Sequence, residues 1–392
     1  MWQSNAIANL LRSISIFLAT TKFVVAATTA RQDLANCDCF VVSGSDAGYF
    51  QNHRFIDFRQ VSASDSDTFS TPPALLGDTE NQGSETATSS YFTSTTFTND
   101  WTISSGLTGH NSSIPSVDSS RNVFIFQEVN SDNTNSTYLG LRAQRLESWV
   151  SNAELDTIAS DILYSSMRTR ARLIPALGPS IPNPSPYQDL DTSSIDGLNT
   201  SHSVAPGAVF GFFTYQSDTQ ESDIEILTSD PISNVRYSNQ PDYNATTDEA
   251  IPGASTDVRL SNNIDWTAWH DHRIDWYQNI SRWYVDGRLV LEKTMNVPTA
   301  PSQLVLNLWS DGGTWSGNMS VGAQIVAGFQ WVEMVYNVSG SSTEGQCKIG
   351  CRVDDVKSVG TPEQAFSNAA NETRTDQWWM WMFLFLGLFW FI

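Results

Sequence analysis

In the stretch TYQSDTQESDIEILTSDP, residues 214–231, three carboxylates stand at every second position: Glu221, Asp223 and Glu225. Read as an extended strand, they share one face while Ser222, Ile224 and Ile226 take the other. A helix would also bring Glu221 and Glu225 to one side, but not Asp223. The apolar run upstream and the closing Ser229-Asp230-Pro231 favour the strand. Like charges crowded this way repel, so the pattern has two readings. One is an exposed acidic edge strand that discourages aggregation. The other is an acid pair for glycoside cleavage, one carboxylate attacking and one carboxylic acid giving a proton, with a third group between them that pushes their pKa values apart. Retention of configuration needs the two carboxyls about 5–5.5 Å apart, whereas Cα atoms at i and i+4 of a strand lie roughly 13 Å apart. Long side chains leaning inward on a concave sheet close most of that gap.

A strand of this kind needs a sheet to carry it. RNVFIFQEV, TYLGLRAQRLES and ILYSSMRTRARLIPA precede it; the last alternates Met167, Thr169, Ala171 and Leu173 against Arg168, Arg170 and Arg172. GAVFGFFTYQ is a nearly continuous apolar run, as expected of a strand covered on both faces. WHDHRIDWYQ, SRWYVDGRLVLEK, SQLVLNLWS and FQWVEMVYNV follow, with Asn279 and Asp286-Gly287 as turn residues. From Val61 to Arg121 the chain is rich in Ser, Thr, Asp, Gly and Asn and reads as long surface loops, with FTSTTFTNDWTI as a strand. Many short strands and few convincing helices predict one all-β sandwich.

With these segments in this order, ESDIE resembles the Glu-x-Asp-x-Glu signature of glycoside hydrolase family 16, which includes laminarinases, lichenases and wall-remodelling transglycosylases. The surrounding stretch looks most like the fungal members, and the resemblance spans roughly residues 120–337. It implies a β-jelly-roll sandwich (the concanavalin A-like lectin/glucanase fold) whose concave face binds a β-glucan, and a retaining mechanism. By resemblance Glu221 is the nucleophile, Asp223 the helper that orients it, and Glu225 the general acid and base. The spacing implies an unbulged strand. Ser222 departs from the apolar residue usual there, which bears on local packing.

Aromatic residues supply the other half of a sugar site, because indole faces stack on the apolar faces of pyranose rings. Seven of the 14 Trp fall between Trp266 and Trp331. By resemblance Asn307, Trp309 and Trp315 are substrate-binding, while Trp266, Trp276 and Trp283 are expected in the core. His270 and His272 form a His-x-His pair; no metal is expected there, and His270 is expected to line the cleft. No cofactor is required, and a structural calcium, which occurs in parts of the family, is left open.

The 392 residues carry 42 Asp+Glu against 21 Lys+Arg, a formal charge of −21. This argues against a nucleic-acid partner, which would need a basic face. Residues 1–27 read as a secretory signal peptide, with a short apolar run and small residues near Ala26 and Ala27. At the other end Trp378–Ile392 is an uncharged apolar tail behind a polar spacer, the order of a GPI signal, with Asn368 as attachment site and 369–392 as propeptide. Eight sequons agree with export: Asn111, Asn135, Asn199, Asn244, Asn279, Asn318, Asn337 and Asn371. Cys37 and Cys39 are expected to form cross-paired disulfides with Cys347 and Cys351, since a ring within Cys37-Asp38-Cys39 would be strained; which cross-pair forms stays open. The catalytic sandwich is then residues 37–351 and a stalk 352–368.

The whole predicts a secreted, GPI-anchored monomer that touches membrane only through its lipid and hydrolyses β-1,3- or mixed-linkage β-1,3/1,4-glucan at the cell wall. A transglycosylase using the same acids and a non-catalytic carbohydrate-binding wall protein are the alternatives; the intact set of acids speaks against the second.

Overall fold

The computed structural model describes residues 37–44, 48–61, 67–75, 86–108, 114–129, 134–174, 204–244, 246–247, 249–261, 264–341 and 347–367. The expected signal peptide, Asn368, the apolar tail and the sequons Asn111, Asn199 and Asn371 lie outside these residues.

Alternation along the strands builds two layers. In Ile162–Ile174 the apolar positions Met167, Ala171 and Leu173 are buried while Arg168, Arg170 and Arg172 are half-exposed, as the sequence predicts. In Gln220–Leu227, Ile224 and Ile226 point into the same core, beside Phe210, Phe212, Leu306 and Leu308. Trp266, Trp276 and Trp283 are all buried.

The layer that carries the acids is antiparallel throughout. Its order is Ser255–Arg259, Asn234–Asn239, Gln220–Leu227, Val209–Ser217, Gln303–Trp309, Val150–Thr157 and Trp101–Ile103. The second layer runs from Arg288–Lys293 through Ile280–Val285, His270–Tyr277 and Ile162–Ile174 to the long strand Gln324–Val338. The far edge of that long strand is shared by Asn52–Asp57 and Asn135–Arg145. Val150–Thr157 joins the layers, because its start also pairs with Gln144 and Arg145. The fold is the β-jelly-roll sandwich expected.

Two expectations change. FTSTTFTNDWTI is a strand only at Trp101–Ile103; before it come a 3-10 turn, Ser90–Thr93, and a short α-helix, Thr95–Thr98. Ser89 caps the Tyr91 N–H, and Phe92 and Phe97 meet edge-on at 5.0 Å, so this segment packs into the core rather than lying on the surface. Residues 352–367, read as a stalk, are folded as far as Ser367: Ile349–Arg352 pairs in parallel with Cys39–Val41 and antiparallel with Glu363–Ser367. Charge explains the docking. Arg168 and Arg273 on the outer face of the second layer bond Asp354, and Val353 is buried with Phe40 and Phe50. The expected cross-pairing is present as Cys37–Cys351 and Cys39–Cys347.

Candidate active site

Register fixes what stands around the acids. Glu225 is paired with Arg236 on one side and Gly211 on the other, and Gly211 is in turn paired with Asn307 and Asn307 with Glu154. Asp223 lies between Ser238 and Phe213, and Glu221 beside Tyr215. The strand is unbulged from Glu221 to Glu225, so all three carboxyls face away from the core. Gly211 matters here for want of a side chain. A Cβ would collide with Asn307 Oδ1 and the Phe213 ring, so glycine keeps the floor open between Glu225 and Asn307.

Burial differs along the row. Asp223 is 1 % exposed, while Glu221 and Glu225 are half-buried. Burial, more than crowding, pushes all three carboxyls up. Glu221 rises to about 7, opposed by its hydrogen bond with Asp223 and helped by the charges of Glu225, Asp218 and Asp242. Glu225 rises to about 8, with Asp223 adding to burial and the Trp315 N–H opposing it. Asp223 is raised most clearly, by burial first and Glu221 second. Crowding is therefore the second cause of the split, not the first as the sequence suggested. The face thus holds a proton-retaining Glu225 and, beside it, the hydrogen-bonded pair Glu221 and Asp223.

Around them the cleft is aromatic and polar. The Trp315 indole N–H donates to Glu225 Oε1 at 3.2 Å, and the Arg236 guanidinium lies 4.7 Å from the same ring's centroid. A cavity of about 990 Å³ opens beside Glu225, lined by Trp309, Trp315, Tyr243, Arg236, Asp242 and Ser255 among others. On the other side Asn307 donates to Glu154 at 3.2 Å, and Gln303 and Ser104 donate to Asp156. Burial raises both of these carboxyls above their ordinary range.

Of the residues singled out in sequence, Glu221, Asp223, Glu225, Asn307, Trp309 and Trp315 meet at this cleft. His270 does not. It stands on the second layer, paired with Ala171, and its Nδ1 bonds Asp286 at 2.7 Å in the Asp286-Gly287 turn. His272 beside it is buried, its pKa lowered to about 4 by desolvation. Among the described residues no three His, Cys, Asp or Glu side chains converge as a metal-binding group. Asn135, Asn244, Asn279 and Asn318 are exposed, whereas Asn337 is half-buried and bonded at both ends of its amide, to Gln51 N and Tyr49 O.

Sequence reasoning missed Glu154, Asp156, Arg236 and Gln240. Glu154 and Asp156 carry the same every-second-residue spacing of acids as the central set, which could have found them. Arg236 and Gln240 carry no such signal, because their place beside the acids depends on the register of Asn234–Asn239.

Residues 198–327 match the profile described as Glycosyl hydrolases family 16. This stretch belongs to glycoside hydrolase family 16. It holds the three acids, Asn307, Trp309 and Trp315. Among curated proteins, the chain is 29 % identical over 138 residues to a beta-glucanase of Paenibacillus polymyxa, covering 33 % of this chain and 54 % of that one. It is 32 % identical over 133 residues to a beta-glucanase of Bacillus subtilis (strain 168), covering 32 % and 51 %. The chain thus spans about half the length of these curated relatives. Among solved structures, Bacillus licheniformis beta-glucanase aligns with a TM-score of 0.43 at 20 % identity, covering 61 % of this chain and 94 % of that one. These relatives are bacterial, and the fungal affinity of the family 16 stretch rests on sequence resemblance alone.

Proposed function

We propose that the chain is a retaining endo-β-glucanase acting on β-1,3- or mixed-linkage β-1,3/1,4-glucan, with Glu221 as nucleophile and Glu225 as acid and base. The observation that carries this reading is the ordering of the three carboxyls on one face: a proton-holding Glu225 at one end, Glu221 at the other, and buried Asp223 bonded to Glu221 between them.

In the first step the Glu221 carboxylate attacks the anomeric carbon while Glu225 gives its proton to the departing glycosidic oxygen. Asp223 stabilises the ionised Glu221 by donating to it. In the second step Glu225, now a carboxylate bonded by the Trp315 N–H, takes a proton from water, which attacks the glycosyl ester and frees Glu221. Trp309, Trp315 and Tyr243 offer apolar faces to pyranose rings, and Asn307 and Glu154 offer hydrogen bonds to hydroxyls.

The site of action in this proposal is the cell surface, reached by export and a lipid anchor. Its support is two disulfides, which persist in oxidising compartments, together with the apolar ends and the exposed sequons. A transferase reading of the same acids gains from the roomy cavity beside Glu225, where an acceptor sugar could take the place of water.

Incubation with laminarin and with barley mixed-linkage glucan, with and without a labelled oligosaccharide acceptor, tests both. New reducing ends that disappear in Glu221→Gln identify the hydrolase and its glucan. Label moving into longer chains without new reducing ends identifies the transferase. Glucan binding without either product would make the chain a carbohydrate-binding protein and end the enzyme reading.

A further inference from the structure

We propose that Gln240 is a positioning residue that decides which oxygen of Asp223 carries the proton, and so aims that proton at Glu221. The inference rests on the reading of Glu221 as nucleophile and concerns how that group is kept ready.

Gln240 directly follows the strand Asn234–Asn239, and its backbone N–H donates to the Glu221 carbonyl at 3.0 Å, which holds it against the strand of acids. Its side-chain Nε2 donates to Asp223 Oδ2 at 3.2 Å, and its Oε1 accepts from the Asp242 backbone N–H at 2.8 Å. The second bond fixes the first. Were the amide turned over, Nε2 would face the Asp242 N–H, donor against donor, and that bond would be lost, so the Asp242 N–H holds Nε2 toward Asp223 Oδ2.

Asp223 is buried beside Glu221, and two carboxylates in contact in such a place share a proton. A carboxylic acid has one carbonyl oxygen and one hydroxyl, and only the carbonyl oxygen readily accepts the Gln240 N–H. Oδ2 is thereby the carbonyl and Oδ1 the hydroxyl. Oδ1 has no N–H or hydroxyl donor, and Asp223 is hydrogen-bonded to Glu221; with Oδ2 taken by Gln240, we assign that bond to Oδ1. The proton on Oδ1 then stabilises Glu221 in its ionised, attacking form. Without Gln240 the proton can sit on either oxygen, and Glu221 loses part of that support.

The charged and titratable groups facing Glu221 are Asp223 and Glu225 on its own strand, Asp218 in the turn before it, Asp242 beyond Gln240, and Tyr215 on the neighbouring strand, whose hydroxyl donates to Asp218. Of these, Gln240 itself touches only Asp223 and Asp242.

The test uses the 2,4-dinitrophenyl 2-deoxy-2-fluoro-β-glycosides of laminaribiose and cellobiose. A Glu221 oxygen bonds to C1 as the C1–O bond breaks, and the electron pair leaves with dinitrophenolate, which needs no proton from Glu225. The pH dependence of labelling therefore reports the Glu221–Asp223 pair alone. In Gln240→Met the acid limb of labelling is expected to move up by about one pH unit, slowing labelling below it roughly tenfold. Asn296→Ala, which loosens the same loop by removing the Asn296 Nδ2 bond to the Pro241 carbonyl without touching Asp223, is expected to keep the wild-type limb. If Gln240→Met melts early, Gln240→Glu replaces it: it still accepts from Asp242, its carboxylate competes for the Asp223 proton, and its limb moves up as well. Labelled Glu221 with an unshifted limb in the Gln240 variant, or an equal shift in Asn296→Ala, overturns this inference alone. Absence of label on wild-type Glu221 overturns the retaining reading, and this inference with it.

Discussion

The indole N–H of Trp315 donates to Oε1 of Glu225 across 3.2 Å, joining the loop behind Gln303–Trp309 to the last acid of the row. Arg236 holds the ring in place from its other side. Its guanidinium is anchored to Asp230 by two bonds, of 2.9 and 3.2 Å, and lies over the indole. An N–H at a carboxyl favours the ionised form, so this bond keeps Glu225 lower than burial alone would. In the proposed double displacement the bond therefore matters most in the second step, when Glu225 must be a carboxylate.

Replacing Trp315 by Phe keeps a ring and removes the donor. Glu225 should then rise further above about 8, and the basic limb of the kcat/KM profile should move to higher pH. Deglycosylation should slow by about 3- to 10-fold, the net worth of one ordinary hydrogen bond. A pH–rate series on the better glucan, wild type against Trp315→Phe, reads both effects. A limb that stays put would mean that the indole serves only to stack on sugar.

Gly211 invites a second substitution. Ala there is compatible with an extended backbone but drives a methyl into Asn307 Oδ1 and the Phe213 ring. Asn307 would have to swing away from Glu154, breaking their 3.2 Å bond. Activity should drop on the order of tenfold or more, through KM as well as kcat, with a stability cost of about 1–3 kcal/mol for the overpacked floor. Steady-state kinetics and a thermal melt on Gly211→Ala check this. Wild-type KM would show that the open floor is not used by substrate.

How far the site could be read in advance depended on whether its geometry is local. Glu221, Asp223 and Glu225 were legible because alternation along one strand is set by the backbone alone, with no need of a partner. The same holds for Met167 against Arg168 in the second layer. Gln240 and Arg236 were not legible, because which residue faces which across two strands depends on register, and a turn such as 228–233 leaves no mark of it in composition. His270 failed for a related reason: its alternation was visible but its layer was not. The core helices at Phe92 and Phe97 were hidden by Ser and Thr, which cap short turns as readily as they populate loops. Ser222 was flagged as a misfit of packing, and it is: its Oγ is fully buried without a partner.

Asp118 offers a test of stability against pH. It is 6 % exposed, and burial, with Glu154 and Asp156 nearby, pushes it up to about 8. A folded-state pKa raised above the unfolded value means that the folded chain holds the proton more tightly. The stabilisation is fully present below the unfolded pKa near 4 and is lost as pH rises through about 8. The melting temperature should therefore fall between those pH values. Asp118→Asn, which is neutral throughout, should match wild type near pH 4 and exceed it by up to about 5 kcal/mol near pH 8.5. Melts of both proteins across that range decide it, and parallel curves would show that Asp118 ionises at its ordinary pKa in the folded chain.

The two disulfides close almost the same ring, with sequence separations of 314 and 308 residues. Removing either one leaves the other holding both ends together, so only a small ring of about eight residues is opened. Chain-entropy reasoning gives about 2.5 kcal/mol for that first removal. Removing the second opens the whole ring and should cost about 5.5 kcal/mol more by the same reasoning. The three-stranded sheet of Cys39–Val41, Ile349–Arg352 and Glu363–Ser367 would then depend on the Arg168, Arg273 and Asp354 charges and the small cluster around Phe40 and Phe50. Denaturant melts of Cys37→Ser/Cys351→Ser, of Cys39→Ser/Cys347→Ser and of the quadruple variant should show two mild losses and one severe one, well beyond their sum. Additive losses would mean that each bond braces its own contacts instead of a shared ring.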